Sequence, residues 1–180
     1  MQNEIDKALE VLEKGGSILY PTDTIWGVGC DATNEDAITK IFKIKKRAEN
    51  KSLISLVANK EQLKNLTGNI PNIDITSSPT TIIYPSAIGL NKNLLADNGS
   101  AAIRIVQDEF CQRLITKFGK AIVSSSANIS GKPSPKNFSE ISTEIKSSVD
   151  YIVNLRHNEL MIMPSKILII NENGNITKIR

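Results

Sequence analysis

The C-terminal residues place the strongest constraint on the fold of this chain. Two apolar runs, ILII (167–170) and NITKIR (175–180), flank Glu172-Asn173-Gly174. An Asn-Gly pair between two such runs is a strong signal for a tight β-hairpin, because both central residues of the favoured turn need positive φ. We therefore expect two antiparallel strands here, at one place in whatever sheet the rest of the chain forms.

Upstream of this hairpin, short apolar runs alternate with segments of helical periodicity. We expect strands at 17–20, 52–58, 80–85, 101–106, 121–123 and 151–155. We expect helices near 2–14, from 33 or 34 to about 46, and near 59–66, 108–118 and 139–147. The stretch 22–32 has turn-forming residues and little periodicity, so we expect a loop there that follows the first strand and faces a ligand. Since this interleaving favours parallel pairing and the hairpin is antiparallel, the predicted fold class is α/β with a mixed sheet.

The composition fits one domain that spans 1–180. The chain has 180 residues, of which 40% are hydrophobic and 23% charged, and this is enough for a core. Its two cysteines, Cys30 and Cys111, form neither a disulfide framework nor a C-x-x-C zinc pair. The start is charged, and every apolar run is far shorter than the roughly 20 residues of a membrane span. We expect a cytoplasmic protein with no membrane partner.

Several common catalytic motifs are missing from the sequence. His157 is the single histidine, so a Ser-His-Asp triad would have to use it. Neither G-x-x-x-x-G-K-[ST] nor G-x-G-x-x-G occurs, and Gly27-Val28-Gly29 lacks the third glycine. We therefore expect chemistry that depends on electrostatics and positioning rather than on an activated nucleophile.

The densest basic cluster is KIFKIKKRAENK (40–51), with six cations and one acid, Glu49. If the helix ends near Lys46, the chain beyond it re-aims Arg47. Three cations, Lys45, Arg47 and Lys51, could then converge on a triphosphate, for which arginine supplies a planar fork and lysine a compact charge. The alternative is a solvated basic helix end that the helix dipole stabilises.

Two further features place polar groups at apolar strands. Alternation along the strand that ends in Ser-Ser-Ser-Ala-Asn puts Ser124, Ser126 and Asn128 on one face, where small groups would let a ligand approach the backbone. A Ser/Asn-rich turn is the alternative. Arg104 lies inside AAIRIV, where an arginine is costly unless it is paired or binds a ligand, although it could point outward from an edge strand.

Taken in order, five segments of the chain resemble the YrdC/Sua5 family, whose members make threonylcarbamoyl-adenylate for tRNA modification. They are YPTDTIWGVGCDA (20–32), KKRAENKSL (45–53) with its K-x-R-x-x-x-K pattern, AAIRI (101–105), SSSANISGKPSP (124–135) and PSKILII (164–170), followed by Arg180. The resemblance implies a twisted mixed sheet flanked by helices, with a large basic cavity. Because the chain stops at Arg180, it implies the short single-domain architecture.

The resemblance also implies a reaction and a set of site residues. The reaction joins L-threonine, bicarbonate and ATP into threonylcarbamoyl-AMP and releases pyrophosphate, with Mg²⁺ on the triphosphate. Around the threonine it implies Thr24, Arg104, Ser124 and Ser165. On the phosphates it implies the catalytic cations Lys45, Arg47 and Lys51. On the nucleotide it implies Ser100, Ser126, Asn128, Ser134 and Arg180. The implied macromolecular partners are tRNA and a downstream transferase complex that makes N6-threonylcarbamoyladenosine.

Three positions depart from the family pattern. Ser77-Ser78-Pro79-Thr80-Thr81 stands where a P-G-P-x-T element is usual, Lys166 follows Pro164-Ser165 in place of a small hydroxyl residue, and Leu56 stands where some members have histidine. The altered loop at Pro79 favours a second hypothesis, a non-catalytic YciO-like module that binds double-stranded RNA with the same cavity, whereas the K-x-R-x-x-x-K and S-x-S-A-N segments favour the enzyme. A domain of a larger hydrogenase-maturation protein is a third hypothesis, which the absence of fused partner domains disfavours.

Overall fold

One mixed sheet runs through the protein. The computed structural model describes residues 1–47, 53–171 and 173–180. The described strands are β1 (Ile18–Tyr20), β2 (Gly27–Gly29), β3 (Ile54–Val57), β4 (Thr80–Tyr84), β5 (Ala101–Ile105), β6 (Ile122–Ser126), β7 (Tyr151–Ile152), β8 (Lys166–Ile170) and β9 (Ile176–Lys178). The described α-helices are α1 (Gln2–Glu13), α2 (Glu35–Lys45), α3 (Lys60–Thr67), α4 (Glu109–Phe118) and α5 (Thr143–Ser148).

The strand order within the described sheet is β7-β1-β2-β6-β3-β5-β4-β8-β9. β3 runs parallel to β5, and β4 runs parallel to β8, whereas β6 is antiparallel to both β2 and β3. β8 and β9 form the antiparallel hairpin that the Asn-Gly pair predicts, and Gly174 in its turn has φ +79°. The predicted α/β fold with a mixed sheet is therefore confirmed.

Helices cover the two faces of the sheet unequally. Along β3 and β6, Val57 and Val123 face the apolar core of α2 and α3, and their neighbours Leu56 and Ile122 face the core of α1 and α4. This alternation is what a strand buried on both faces requires. The second face is covered by α1 and α4 only in part, and its remainder forms the floor of a cavity. None of the described helices is long and apolar enough to cross a membrane.

Local chemistry explains where the site-bearing helices begin and end. Asn34, one of the two predicted caps, accepts the amide of Ala37 at the start of α2. α2 ends at Lys45, and Lys46 adopts the left-handed conformation with φ +48°, as the predicted end near Lys46 requires. Asp108 caps α4 by accepting the amide of Cys111, and Gly119 ends it.

Several strand and helix assignments differ from the prediction, and β6 continues to Ser126 beyond the predicted 121–123. Gly27–Gly29 is a strand, β2, although its two glycines suggested a connecting loop. A Cβ on Gly29 would lie 2.0 Å from the carbonyl oxygen of Val123, so glycine is what allows β2 to fit between β1 and β6. β7 keeps only Tyr151–Ile152 of the predicted run 151–155, and a 3-10 turn (Phe138–Glu140) precedes α5.

Candidate active site

A cavity of about 480 Å³ lies on the uncovered part of the sheet. Alternate residues of neighbouring strands form its floor, because side chains of one strand point to one face at every second position. They are Thr81 and Ile83 of β4, Ala102 and Arg104 of β5, Ser124 and Ser126 of β6, and Ile167 of β8. Three arginines and no carboxylate occur among the described lining residues: Arg47, Arg104 and Arg180.

Eight of the predicted site residues line this cavity: Thr24, Arg47, Arg104, Ser124, Ser126, Ser134, Ser165 and Arg180. Segments that are far apart in sequence meet here because β6, β3, β5, β4 and β8 are neighbours in the sheet. Lys45, Ser100 and Asn128 are not among the lining residues. Lys51 lies outside the described residues.

Arg104 is buried in the middle of the sheet rather than exposed on an edge. β5 lies between β3 and β4, and the Arg104 side chain is 4% exposed. Its Nη2 lies 3.1 Å from Oδ1 of Asp23, which is 5% exposed, and the Asp23 Oδ2 accepts the amide of Gln107 at 2.9 Å. The Arg104 Nε has no hydrogen-bond partner among the described residues. The pair thus supplies a buried guanidinium at the cavity wall, oriented by one carboxylate.

Hydroxyl groups line the same cavity as this arginine. The Thr24 hydroxyl lies 2.9 Å from that of Thr22, whose oxygen also accepts the amides of Thr24 and Ile25. The Ser165 hydroxyl lies 2.8 Å from that of Thr81. A small polar ligand could exchange hydrogen bonds with these hydroxyls, since each can donate and accept.

Arg47 and Arg180 supply the other two positive charges of the cavity. Arg47 follows the left-handed Lys46, which turns the chain out of α2 and aims it at the cavity. Partial burial lowers the pKa of Arg47, although a guanidinium remains charged at any physiological pH. Arg180 donates from Nε and Nη2 to the carbonyl oxygen of Ser165, at 3.3 and 3.1 Å. The two arginines belong to elements from opposite ends of the chain.

Lys45 faces the protein interior instead of the cavity. The side chain is 1% exposed, and its ammonium donates to the carbonyl oxygens of Ser126 and Asn128, the latter at 2.8 Å. Burial and the nearby charge of Arg47 lower the pKa of Lys45 to about 8. Lys45 therefore holds the turn after β6 through these two carbonyl contacts. The resemblance implies a phosphate contact for it instead.

Asn128 and Ser100 also make contacts with the backbone. Asn128 lies beyond the end of β6, and its Nδ2 donates to the carbonyl oxygens of Ile129 and Lys132, so the predicted shared face holds for Ser124 and Ser126 alone. Ser100 precedes β5, its amide donates to the Asn98 side chain, and its carbonyl accepts the amide of Ala96. Both residues shape loops near the site.

The residues not predicted for the site include Asp23, which supports Arg104, and the lining residues Trp26, Gly27 and Thr81. Asp23 adjoins Thr24 in the YPTDT segment. Because a buried arginine needs an acidic partner, an acidic residue in this segment could have been predicted as the partner of Arg104. Trp26 is fully buried and its ring packs against Phe138 and His157, with ring centres 5.1 and 5.5 Å apart. Gly27 leaves room above Ser124, whose oxygen would lie 3.1 Å from an added Cβ.

His157 packs against an aromatic ring and contacts the backbone, away from the cavity. Its ring stacks on Phe138 with centres 3.8 Å apart, and its Nε2 lies 3.1 Å from the carbonyl oxygen of Val153. It does not line the cavity. No cluster of three or more His, Cys, Asp or Glu side chains suited to a metal ion occurs within the described ranges. Guanidinium groups and hydroxyls are the main polar groups of the described lining, beside apolar side chains such as Leu53, Ile54 and Ile83.

Comparison with known proteins gives a consistent set of relatives. Residues 10–180 match the Sua5/YciO/YrdC family, whose description is telomere recombination. A threonylcarbamoyl-AMP synthase of Pseudoalteromonas translucida (strain TAC 125) is 34% identical over 161 residues, which are 85% of this chain and 86% of that protein. One of Blochmanniella pennsylvanica (strain BPEN) is 32% identical over 162 residues, which are 86% of this chain and 81% of that protein.

Solved structures share the fold. A variant of P. abyssi Sua5 has a TM-score of 0.87 at 26% identity, over 98% of this chain and 55% of the other, so this chain spans about half of that protein. P. abyssi Sua5 complexed with L-threonine has a TM-score of 0.82 at 24% identity, over 98% of this chain and 53% of the other. E. coli YciO has a TM-score of 0.81 at 20% identity, over 100% of this chain and 89% of the other.

Proposed function

Because this chain belongs to the Sua5/YciO/YrdC family, we propose that it is an L-threonylcarbamoyladenylate synthase, a nucleotidyltransferase that uses L-threonine, bicarbonate and ATP. The observation that carries the proposal is the cavity itself, where three arginines and several hydroxyls from distant parts of the chain line one space. The relatives named threonylcarbamoyl-AMP synthase support the same reaction.

We assign the threonine to the end of the cavity around Arg104. A guanidinium is the side chain best suited to a carboxylate, and Asp23 holds this one in place. The hydroxyls of Thr24, Ser124 and Ser165 would then bind the ammonium and hydroxyl groups of the amino acid. The solved complex of P. abyssi Sua5 with L-threonine supports this choice of substrate.

We assign the triphosphate to Arg47 and Arg180. Both are positively charged, and Ser126 and Ser134 add hydroxyls to the same cavity. Lys51 is proposed as a further phosphate ligand, and its position lies outside the described residues. Mg²⁺ would be held mainly by the phosphate oxygens, and bound there it would neutralise charge that develops on the phosphates.

The reaction needs positioning more than it needs a nucleophilic side chain. The threonine amine attacks the carbon of bicarbonate, and loss of water leaves a carbamate. A carbamate oxygen then attacks the α-phosphorus of ATP, the bond to the β-phosphate oxygen breaks, and pyrophosphate leaves with the electron pair. Arg47 would stabilise the negative charge on the leaving group, and the hydroxyls would fix the amino acid for the first attack.

The product is a reactive mixed anhydride, so we propose that a downstream transferase consumes it to form N6-threonylcarbamoyladenosine in tRNA. A partner that accepts the product directly would protect it from hydrolysis. We place this activity in the cytoplasm, where tRNA and ATP are both available.

Mass spectrometry tests the proposed reaction. The protein is incubated with ATP, bicarbonate, Mg²⁺ and L-threonine, and a species with the mass of threonylcarbamoyl-AMP is expected together with pyrophosphate. Serine and an incubation without bicarbonate serve as controls. Absence of the product, combined with tight binding of duplex RNA, would overturn the proposal in favour of a YciO-like RNA-binding module.

A further inference from the structure

Arg156 adopts a backbone conformation that long side chains rarely take. It lies in the connection between β7 and β8 and has φ +56°. Lys46 is the other non-glycine residue with positive φ in the described part of the chain, and it ends a helix, where that conformation is common. Arg156 ends no helix. Its conformation therefore has to be maintained by its contacts.

The Arg156 guanidinium joins three segments. Its Nη1 donates to the carbonyl oxygen of Thr22 at 3.1 Å and to Oδ2 of Asp108 at 2.5 Å, and its Nε donates to Oε2 of Glu159 at 2.7 Å. The Arg156 side chain is 29% exposed and that of Asp108 is 10% exposed. The bond to Asp108 is charge-assisted and partly shielded from water, which makes it stronger than an ordinary surface contact, whereas the Glu159 side chain is 54% exposed.

Two of these segments lead directly into the cavity. The Thr22 side chain contacts Thr24, a lining residue, and Glu159 begins the stretch that reaches the lining residues Pro164 and Ser165. The third contact, Asp108, is the cap of α4 and supplies a fixed point, because its Oδ1 accepts the amide of Cys111. Arg156 itself does not line the cavity.

We propose that Arg156 is a positioning residue that holds the Thr22–Thr24 loop against the fixed start of α4, and so sets the position of Thr24 at the amino-acid end of the cavity. The expected effect on the KM for L-threonine rests on the proposed function, whereas the expected effect on the position of the loop does not. Lysine should not replace it, because its ammonium is one compact point charge and lacks the planar fork whose Nε and Nη1 reach Glu159 on one side and Thr22 and Asp108 on the other.

Steady-state kinetics and amide exchange of Arg156→Ala and Arg156→Gly test the role. Glycine removes the same contacts while it favours the positive φ, so this variant is expected to fold even if the alanine variant does not. We expect the KM for L-threonine to rise by about tenfold or more, with less than about a twofold change in the KM for ATP. Arg156→Lys should resemble the alanine variant.

Amide exchange measured by NMR gives a readout that needs no activity. The amides of Thr24 and Ile25, which both donate to the Thr22 hydroxyl, should exchange at least about tenfold faster in Arg156→Gly. The matched control is Arg113→Ala, which removes an exposed arginine bonded to Gln2 and Glu109 on the outer side of α4, and it should change neither readout.

Two outcomes would overturn the role of Arg156. One is unchanged exchange at Thr24 and Ile25 in Arg156→Gly. The other is an equal rise in the KM values for threonine and ATP, which would mean a general loss of structure. If the wild-type protein makes no threonylcarbamoyl-AMP but the exchange of these amides still accelerates in the variant, the proposed function fails while the positioning of the loop stands.

Discussion

The buried ammonium of Lys45 donates a 2.8 Å hydrogen bond to the carbonyl oxygen of Asn128, and thereby joins the last residue of α2 to the turn that follows β6. The backbone adds a second link, because the amide of Ser130 donates to the carbonyl oxygen of Lys45 at 2.8 Å. Arg47 lies two residues beyond this point. The same contacts therefore fix the place from which Arg47 reaches the cavity and the turn beside Ser126.

The lowered pKa of Lys45 makes stability depend on pH. Its pKa is about 8 in the folded chain and about 10.4 in an unfolded chain, so unfolding takes up a proton between these values. The contribution of this group to the free energy of unfolding therefore rises with pH in that window. Between pH 7.5 and 9.5 we expect a rise of about 2 kcal/mol for the wild type relative to Lys45→Met, measured by urea denaturation.

The comparison with Lys45→Met cancels the titration of all other groups. Because methionine has a similar length and no charge, it also removes both carbonyl contacts of the ammonium. Parallel stability profiles of the two proteins over this pH range would mean that the Lys45 pKa is not lowered.

Arg47→Ala should reduce turnover more than it weakens substrate binding. In the proposed reaction this guanidinium meets charge that grows as pyrophosphate leaves, so we expect kcat to fall more than tenfold, about 1.4 kcal/mol. Lys51→Ala, at a position outside the described residues, should behave alike. Pyrophosphate release measures the effect, with Lys43→Ala, an exposed lysine of the last turn of α2, as control. Wild-type release by both variants would contradict the phosphate assignment.

The Asp23–Arg104 pair should show strong energetic coupling. Asp23→Asn keeps an oxygen for the amide of Gln107 but leaves the buried guanidinium without its counter-charge, which should cost about 3 kcal/mol of unfolding free energy. The double variant Asp23→Asn/Arg104→Met should lose much less unfolding free energy than the sum of the losses in the two single variants. A double-mutant cycle from urea denaturation measures this, and simple additivity of the two changes would argue against a coupled pair.

Two glycines of β2 should respond differently to alanine. In Gly29→Ala the new Cβ would meet the Val123 carbonyl oxygen at 2.0 Å, so β2 and β6 must separate, and we expect a loss of about 3 kcal/mol. In Gly27→Ala the nearest atom is the Ser124 hydroxyl oxygen at 3.1 Å, which can rotate away. Stability should change by less than about 1 kcal/mol there, while the KM for L-threonine rises. Thermal unfolding and steady-state kinetics measure the two effects, and equal destabilisation by both changes would contradict this reasoning.

Local interactions made much of the fold predictable from the sequence. The Asn173-Gly174 hairpin, the Asn34 cap and the end of α2 near Lys46 each depend on a few neighbouring residues, and the structure has all three. The strand β2 was the main omission, because one of its two partners is the distant strand β6 and its own sequence has no strand pattern. The resemblance to the YrdC/Sua5 family likewise implied eight residues that line the cavity.

Contacts between distant segments were decided by the tertiary structure alone. The sequence suggested that Arg104 needs a partner, but only the packing of β5 beside the Thr22–Thr24 loop selects Asp23. Charge pattern placed Lys45 with Arg47, whereas the left-handed Lys46 sends one side chain inward and the other to the cavity. Side-chain direction after a helix end depends on the dihedral angles there and on neighbours from remote strands, and a linear pattern encodes neither.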